Sequence, residues 1–136
     1  HMPRLAVREM SQRFPAHSHP RVGFMGTEGS RAAGVYRREV EAAGYVFGEP
    51  HDALQHRVDS LIYDDVKGGR PLDPQRYRAV IEAFLTAPYD CDVVLLGCTE
   101  LSVFNERFPM PELPLVDAQS VLVDETVRRA KALLAD

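Results

Sequence analysis

Cys98, Thr99 and Glu100 stand in succession at the end of the apolar run Val93-Val94-Leu95-Leu96-Gly97. A thiol, a hydroxyl and a carboxylate follow one another with no spacer. The apolar run reads as a buried parallel strand. Its polar tail then falls at the carboxyl end, where open α/β sheets hold their ligands. Thr99 and Glu100 fall in the first turn of a following helix. That puts Cys98 at the positive end of a helix dipole, an arrangement that lowers a thiol pKa and favours the thiolate. An inert, buried cysteine at a strand end fits the same residues.

Other chemistry-bearing residues are scattered. Lys67 precedes Gly68-Gly69 at the end of a helical pattern, where lysine also serves the helix dipole. Thr27 follows a short strand and is placed to cap the next helix. His17 and His19 alternate in a loop, and His51 and His56 are five apart, off the one-turn spacing that points two ligands at one ion. No metal site is expected.

The elements that must position these groups alternate. A short amphipathic helix covers residues 4–14 and is broken by Pro15 and Pro20. Residues 21–26 read as a strand, and Ala32, Ala33, Tyr36, Val40 and Ala43 mark one helix that ends at Gly44. Residues 45–47 are a second strand. Leu54, Val58, Leu61, Ile62 and Val66 give a helix face that stops at residues 67–69. Asp73-Pro74 starts the next helix, whose buried face carries Tyr77, Ile81, Phe84 and Leu85. The strand at 92–97 and a short helix from Thr99 follow. Pro109, Pro111 and Pro114 enforce an irregular connection. Leu115-Val116 is the fourth strand, and Asp117 caps a last helix whose face carries Val123, Val127, Ala130, Leu133 and Leu134. Strand–helix alternation predicts an α/β three-layer sandwich, with a short, mainly parallel sheet of about four strands and helices on both faces.

The 136 residues amount to one domain, with 45% hydrophobic and 26% charged residues. Residues 21–136 are assigned to it, and 1–20 to a tag remnant (His1-Met2), a linking helix and a loop. A net charge of -4 without a basic run gives no electrostatic case for nucleic acid. No stretch reads as a membrane span or a signal peptide. There is no GxGxxG and no P-loop motif. Cys91 and Cys98 flank one strand, too far apart for a disulfide. Reduced thiols point to a cytoplasmic protein.

Four segments together resemble the aspartate/glutamate racemase superfamily. Val22-Gly23-Phe24-Met25-Gly26-Thr27-Glu28-Gly29-Ser30 resembles its "VGLLAT(D/E)GT" strand and turn. Ile62-Tyr63-Asp64-Asp65-Val66-Lys67-Gly68-Gly69 resembles "IY-x-x-IK-x-G", Leu96-Gly97-Cys98-Thr99-Glu100-Leu101 resembles "LGCTEL", and Pro114-Leu115-Val116-Asp117 resembles "IPVID". Glu rather than His after Cys-Thr is typical of the aspartate and broad-specificity amino-acid racemases. The resemblance implies a Rossmann/flavodoxin-like half of a two-domain racemase that needs no cofactor. In that chemistry two cysteines flank the substrate α-carbon; a thiolate removes the α-proton and a thiol returns one to the opposite face. Carried over, Cys98 is one of the two bases. Thr99 and Lys67 hold substrate carboxylates, Glu100 tunes the thiol or the substrate amine, and Thr27 lines the pocket floor.

The family's first half, with its "CNT-x-H" cysteine, has no counterpart here. Cys91 lies seven residues before Cys98, roughly 20 Å away along the strand. The chain therefore resembles the second half alone. Three readings stay open: part of a larger racemase, a half-length protein that pairs two sites in a homodimer, or a small-carboxylate binding module or one-cysteine isomerase or decarboxylase on the same fold. In each, the small-molecule partner is an amino acid or related carboxylate. An exposed apolar surface is expected wherever a missing half would pack.

Overall fold

In the computed structural model, which describes residues 1–135, four strands form one sheet: β1 (Arg21–Met25), β2 (Val46–Gly48), β3 (Val93–Leu96) and β4 (Leu115–Asp117). Their order is β2-β1-β3-β4 and every pairing is parallel. Helices α1 (Met2–Arg13), α2 (Glu28–Ala33), α3 (Val35–Ala42), α4 (Asp52–Ser60), α5 (Pro74–Leu85), α6 (Thr99–Arg107) and α7 (Ala118–Leu134) surround it. A six-residue π-helix, Leu61–Val66, continues α4. The α/β three-layer class expected from the alternation is the one observed.

The chain steps outward from β1 to β2, then returns to the other side of β1 as β3. Strand order therefore reverses between β1 and β3, and such a switch point opens a crevice at the strand carboxyl ends. The sheet is buried on both faces. Val93 and Leu95 point into a core with Phe24, Tyr36 and Val116, while Val94 and Leu96 point into one with Ile62, Ile81, Phe84 and Phe104. This alternation along one strand explains the continuous apolar run, since neither face is solvated.

The end of β3 is unusually tight. A Cβ on Gly97 would overlap the Phe24 ring and lie 3.2 Å from Tyr36 Cε2. The absence of a side chain there lets two aromatic rings pack directly on the backbone before Cys98.

Four features differ from the pattern in the sequence. The helix expected from residue 27 to 43 is two helices, broken at Gly34 (φ 73°), which ends α2 and starts α3. The helix expected to run from 54 to 66 changes to π geometry at Leu61. Ala6, Val7 and Met10 of α1 are buried in the core beside β1 and β3, so the packed unit draws on residues before 21, which the sequence pattern assigned to a linking segment. Finally, the apolar face of α7 is in solvent: Val123 is 48% exposed, Val127 45%, Leu133 78% and Leu134 86%. Only Ala118 of this helix is buried, because past its first turns the helix packs on little besides α1. No helix among the described residues is long and apolar enough to cross a membrane.

The tight end of β3 yields a stability test. Gly97→Ala should destabilise the protein by about 1–3 kcal/mol through overpacking. Gly29→Ala, where an added Cβ meets nothing within 4 Å, should be neutral or mildly stabilising. Urea unfolding measures both, and equal midpoints would contradict the packing argument.

Candidate functional site

Cys98 is the residue before α6, in extended conformation (φ −138°, ψ 136°), and its carbonyl accepts from the backbone N–H groups of Leu101 and Ser102 at 3.2 and 3.3 Å. Its own side chain is half-buried. Glu100, in the first turn of α6, folds back over the thiol. Cys98 Sγ donates to Glu100 Oε2 at 2.7 Å, and Thr99 Oγ1 donates to the same oxygen at 3.1 Å. The other carboxylate oxygen, Oε1, lies 3.4 Å from Lys67 Nζ. Lys67 follows the π-helix directly and also sits over the Tyr63 ring, 5.0 Å from its centroid. Cys98, Thr99, Glu100 and Lys67 thus form one cluster at the carboxyl edge of β3.

Thr27 stands at the same edge. Met25 pairs with Leu96, so the register continued past both strands brings Thr27 level with Cys98. Its hydroxyl accepts from Ser30 N–H at 3.0 Å and caps α2. Among the described residues, the Thr27 hydroxyl serves the helix and makes no hydrogen bond to the thiol cluster.

The thiol is not a resting thiolate. Burial, and then the hydrogen bond to the Glu100 carboxylate, push the Cys98 pKa up to about 11. Backbone N–H groups of Glu100 and Leu101 pull the other way, as the helix-dipole argument requires, but they are outweighed. The expectation of a lowered thiol pKa is therefore corrected: burial first, and then the carboxylate in contact with sulfur, exceed the partial charge of a helix terminus. Glu100 is held below the usual carboxylate range, first by the thiol hydrogen bond. At neutral pH the resting pair is a thiol donating to a carboxylate.

Cys91 is buried at the other end of β3, where burial raises its pKa to about 11. Its sulfur would lie 2.7 Å from a Cβ on Gly48, so it is a packing residue. Asp117, expected only as a helix cap, does cap α7 through Gln119 and Ser120 N–H. It also accepts from Ser102 Oγ at 2.6 Å and Asn105 Nδ2 at 3.3 Å, which ties α6 to the end of β4. A cavity of about 720 Å³ lies between α1, α7 and the proline-rich connection, lined by Arg8, Arg13, Met110, Leu115 and Arg128 among others. The thiol cluster is not part of that lining.

The sequence reading missed the Asp65–Arg76 pair. Both Asp65 oxygens accept from Arg76 Nη1, at 2.8 and 2.6 Å. A signal was available: Asp65 falls on the same helical stripe as Val58, Leu61 and Ile62, an apolar setting where a charge requires a partner. Among the described residues, no group of three or more His, Cys, Asp or Glu could hold a metal ion.

In a Cys91→Ala background, alkylation of native Cys98 should be slow at pH 7 and should accelerate towards pH 11, as the thiol ionises. Glu100→Gln removes the negative charge that opposes the thiolate, so its profile should move to lower pH. Each pH unit of that displacement should make labelling below the pKa about tenfold faster. Fast labelling of the wild type at pH 7, or an unmoved profile in Glu100→Gln, would contradict this account.

A sequence model of the Asp/Glu/hydantoin racemase family matches residues 1–126. Among solved structures, an aspartate racemase homologue from Pyrococcus horikoshii OT3 is similar with a TM-score of 0.73 at 17% identity, over 96% of this chain and 55% of that one. At that identity the likeness is one of fold, and this chain spans about half the length of that protein. With the family match extending over most of its length, the chain belongs to the Asp/Glu/hydantoin racemase family.

Proposed function

We propose that this chain carries one half-site of a cofactor-independent racemase acting at the α-carbon of an acidic amino acid, with Cys98 as the proton donor and acceptor. The observation that carries the reading is the cluster of thiol, carboxylate and ammonium at the β1/β3 switch point. The family match supports a racemase-type reaction.

In the donor step the Cys98 S–H bond breaks, the proton goes to the substrate carbanion, a C–H bond forms, and the thiolate remains. In the reverse step the thiolate takes the α-proton. Lys67 and the backbone N–H groups at the start of α6 receive the substrate carboxylates. An incoming carboxylate competes with Glu100 for Lys67, and a Glu100 left without that ammonium holds the thiol proton more firmly, which keeps Cys98 in its donor form. The base for the opposite face comes from a partner or from a part of the protein outside these residues.

A second reading has its own support. Among the described residues Cys98 is the sole thiol that is not buried, so proton exchange at one face, with retention, is chemistry this chain could perform by itself.

Solvent exchange separates the two. Aspartate incubated with the protein in D2O should exchange its α-proton, and Cys98→Ala should lower the rate by about 100-fold or more. Inversion accompanying exchange indicates a second base and supports the racemase. Exchange with retention supports one-face chemistry. Absence of exchange with aspartate and glutamate, or exchange indifferent to Cys98→Ala, would overturn both.

A further inference from the structure

The means by which Lys67 reaches Glu100 lies outside the thiol cluster. We infer that the ion pair between buried Asp65 and solvent-exposed Arg76, acting through the π-helix, is the positioning device that holds Lys67 against Glu100. Its consequence for catalysis rests on the role proposed above for Lys67; its geometry is independent of that role.

Helix α4 and the π-helix are one continuous run. At its end Lys67 N–H donates to Ile62 C=O at 2.9 Å, an i to i+5 step. Such widened turns are uncommon and recur at functional sites. Relative to α geometry the segment holds an extra residue, and one residue of helix corresponds to about 100° of rotation. Restoring α register would therefore swing Lys67 away around the helix axis. In the structure the side chain lands 3.4 Å from Glu100 Oε1 instead.

Three contacts hold the widened turn. The Asp65 side chain is completely buried and accepts twice from Arg76, in the first turn of α5. Arg76 Nη2 also donates to Ser60 Oγ at 3.1 Å, and Ser60 Oγ donates to Asp64 Oδ2 at 2.8 Å. The last residue of α4, two residues of the π-helix and the start of α5 are thereby tied together. Gly68 closes the exit: an added Cβ would overlap Asp64 O and lie 2.9 Å from Tyr63 O. A buried carboxylate is costly to desolvate, and apolar residues would fill the same volume at no electrostatic cost. A positional role accounts for its presence on an otherwise apolar stripe.

The readout is the ionisation of Cys98. That thiol is faced by Glu100 from α6, by Lys67 through Glu100, and at longer range by Tyr36 from α3. Moving the Lys67 charge off Glu100 leaves the carboxylate uncompensated beside the sulfur, so the thiol becomes harder to ionise.

The test uses Asp65→Leu/Arg76→Met, which strands no buried charge, and Arg76→Lys, which keeps a positive charge on Asp65 but loses the second nitrogen that reaches Ser60, all in Cys91→Ala. The double variant should slow Cys98 alkylation at pH 8 by about three- to tenfold, matching Lys67→Met. Adding Lys67→Met to it should change nothing further. Arg76→Lys should give a smaller change in the same direction, and it serves alone should the double variant fail to fold. A folded variant with a lowered melting temperature but an unmoved alkylation profile would show a merely structural pair and overturn the inference. So would effects that simply add to Lys67→Met. Because no substrate is present, this outcome is independent of the solvent-exchange result.

Discussion

The parallel pairing of β1 with β3 is the constraint from which the site follows. Each strand is apolar on both faces, so each has a core to satisfy on either side, and a slip of one residue would exchange those faces along the strand. The pairing of Met25 with Leu96 is fixed in this way by packing. Once it is fixed, the residues just beyond the two strands have no freedom of placement. Thr27 and Cys98 emerge side by side where the strand order reverses. The glycine at position 97 belongs to the same constraint: Phe24 and Tyr36 close over its backbone, and the chain turns into α6 directly afterwards.

What the site can do then depends on a local competition at Cys98. The start of α6 favours a thiolate, whereas burial and Glu100 favour a thiol. A helix terminus contributes the equivalent of about half a charge, spread over several N–H groups. Glu100 contributes a whole charge at hydrogen-bond distance. Burial and the carboxylate together prevail, and the resting cysteine is a proton donor rather than a base. Lys67 sits on the far oxygen of the same carboxylate, so a ligand that recruits Lys67 and one that displaces Glu100 act on the thiol through a single group. On the role proposed for Lys67, the proton affinity of the sulfur is linked to occupancy of the site.

The elements themselves were legible because their causes are local. The apolar run at β3, the Asp73-Pro74 start and the Asp117 cap each state their structure within a few residues, and each is found in place. The departures have causes that local pattern does not hold. Gly34 could have been tolerated inside a helix; instead its left-handed φ of 73° ends α2, and α3 then packs on α1 and β2. The π-helix depends on Arg76, eleven residues from Asp65. Lys67 and Glu100 are far apart in sequence, and no periodicity relates them; the family resemblance implied a role for each at one site, and their direct contact is seen only in the fold. At Cys98 the backbone N–H groups do pull towards the thiolate, but burial and the Glu100 side chain, whose rotamer the sequence does not specify, outweigh them.

The last helix shows the limit of reasoning from periodicity in another way. The spacing of Val123, Val127, Leu133 and Leu134 is that of a buried stripe, yet these residues face solvent. An apolar face costs free energy in water, of order 25 cal/mol per Å² of apolar surface left unburied, and exposed patches of this kind mark surfaces of association. The thiol cluster poses the matching question in chemical terms. Proton transfer at both faces of a substrate carbon needs groups on both sides of it, and the remaining cysteine, Cys91, is buried at the wrong end of β3. A two-base reaction at Cys98 would thus need a surface brought against the strand carboxyl ends. A one-base reaction would need none, and then the stripe on α7 would have to be explained without reference to the site. The stereochemical course of proton exchange therefore bears on the packing of the molecule as directly as on its chemistry.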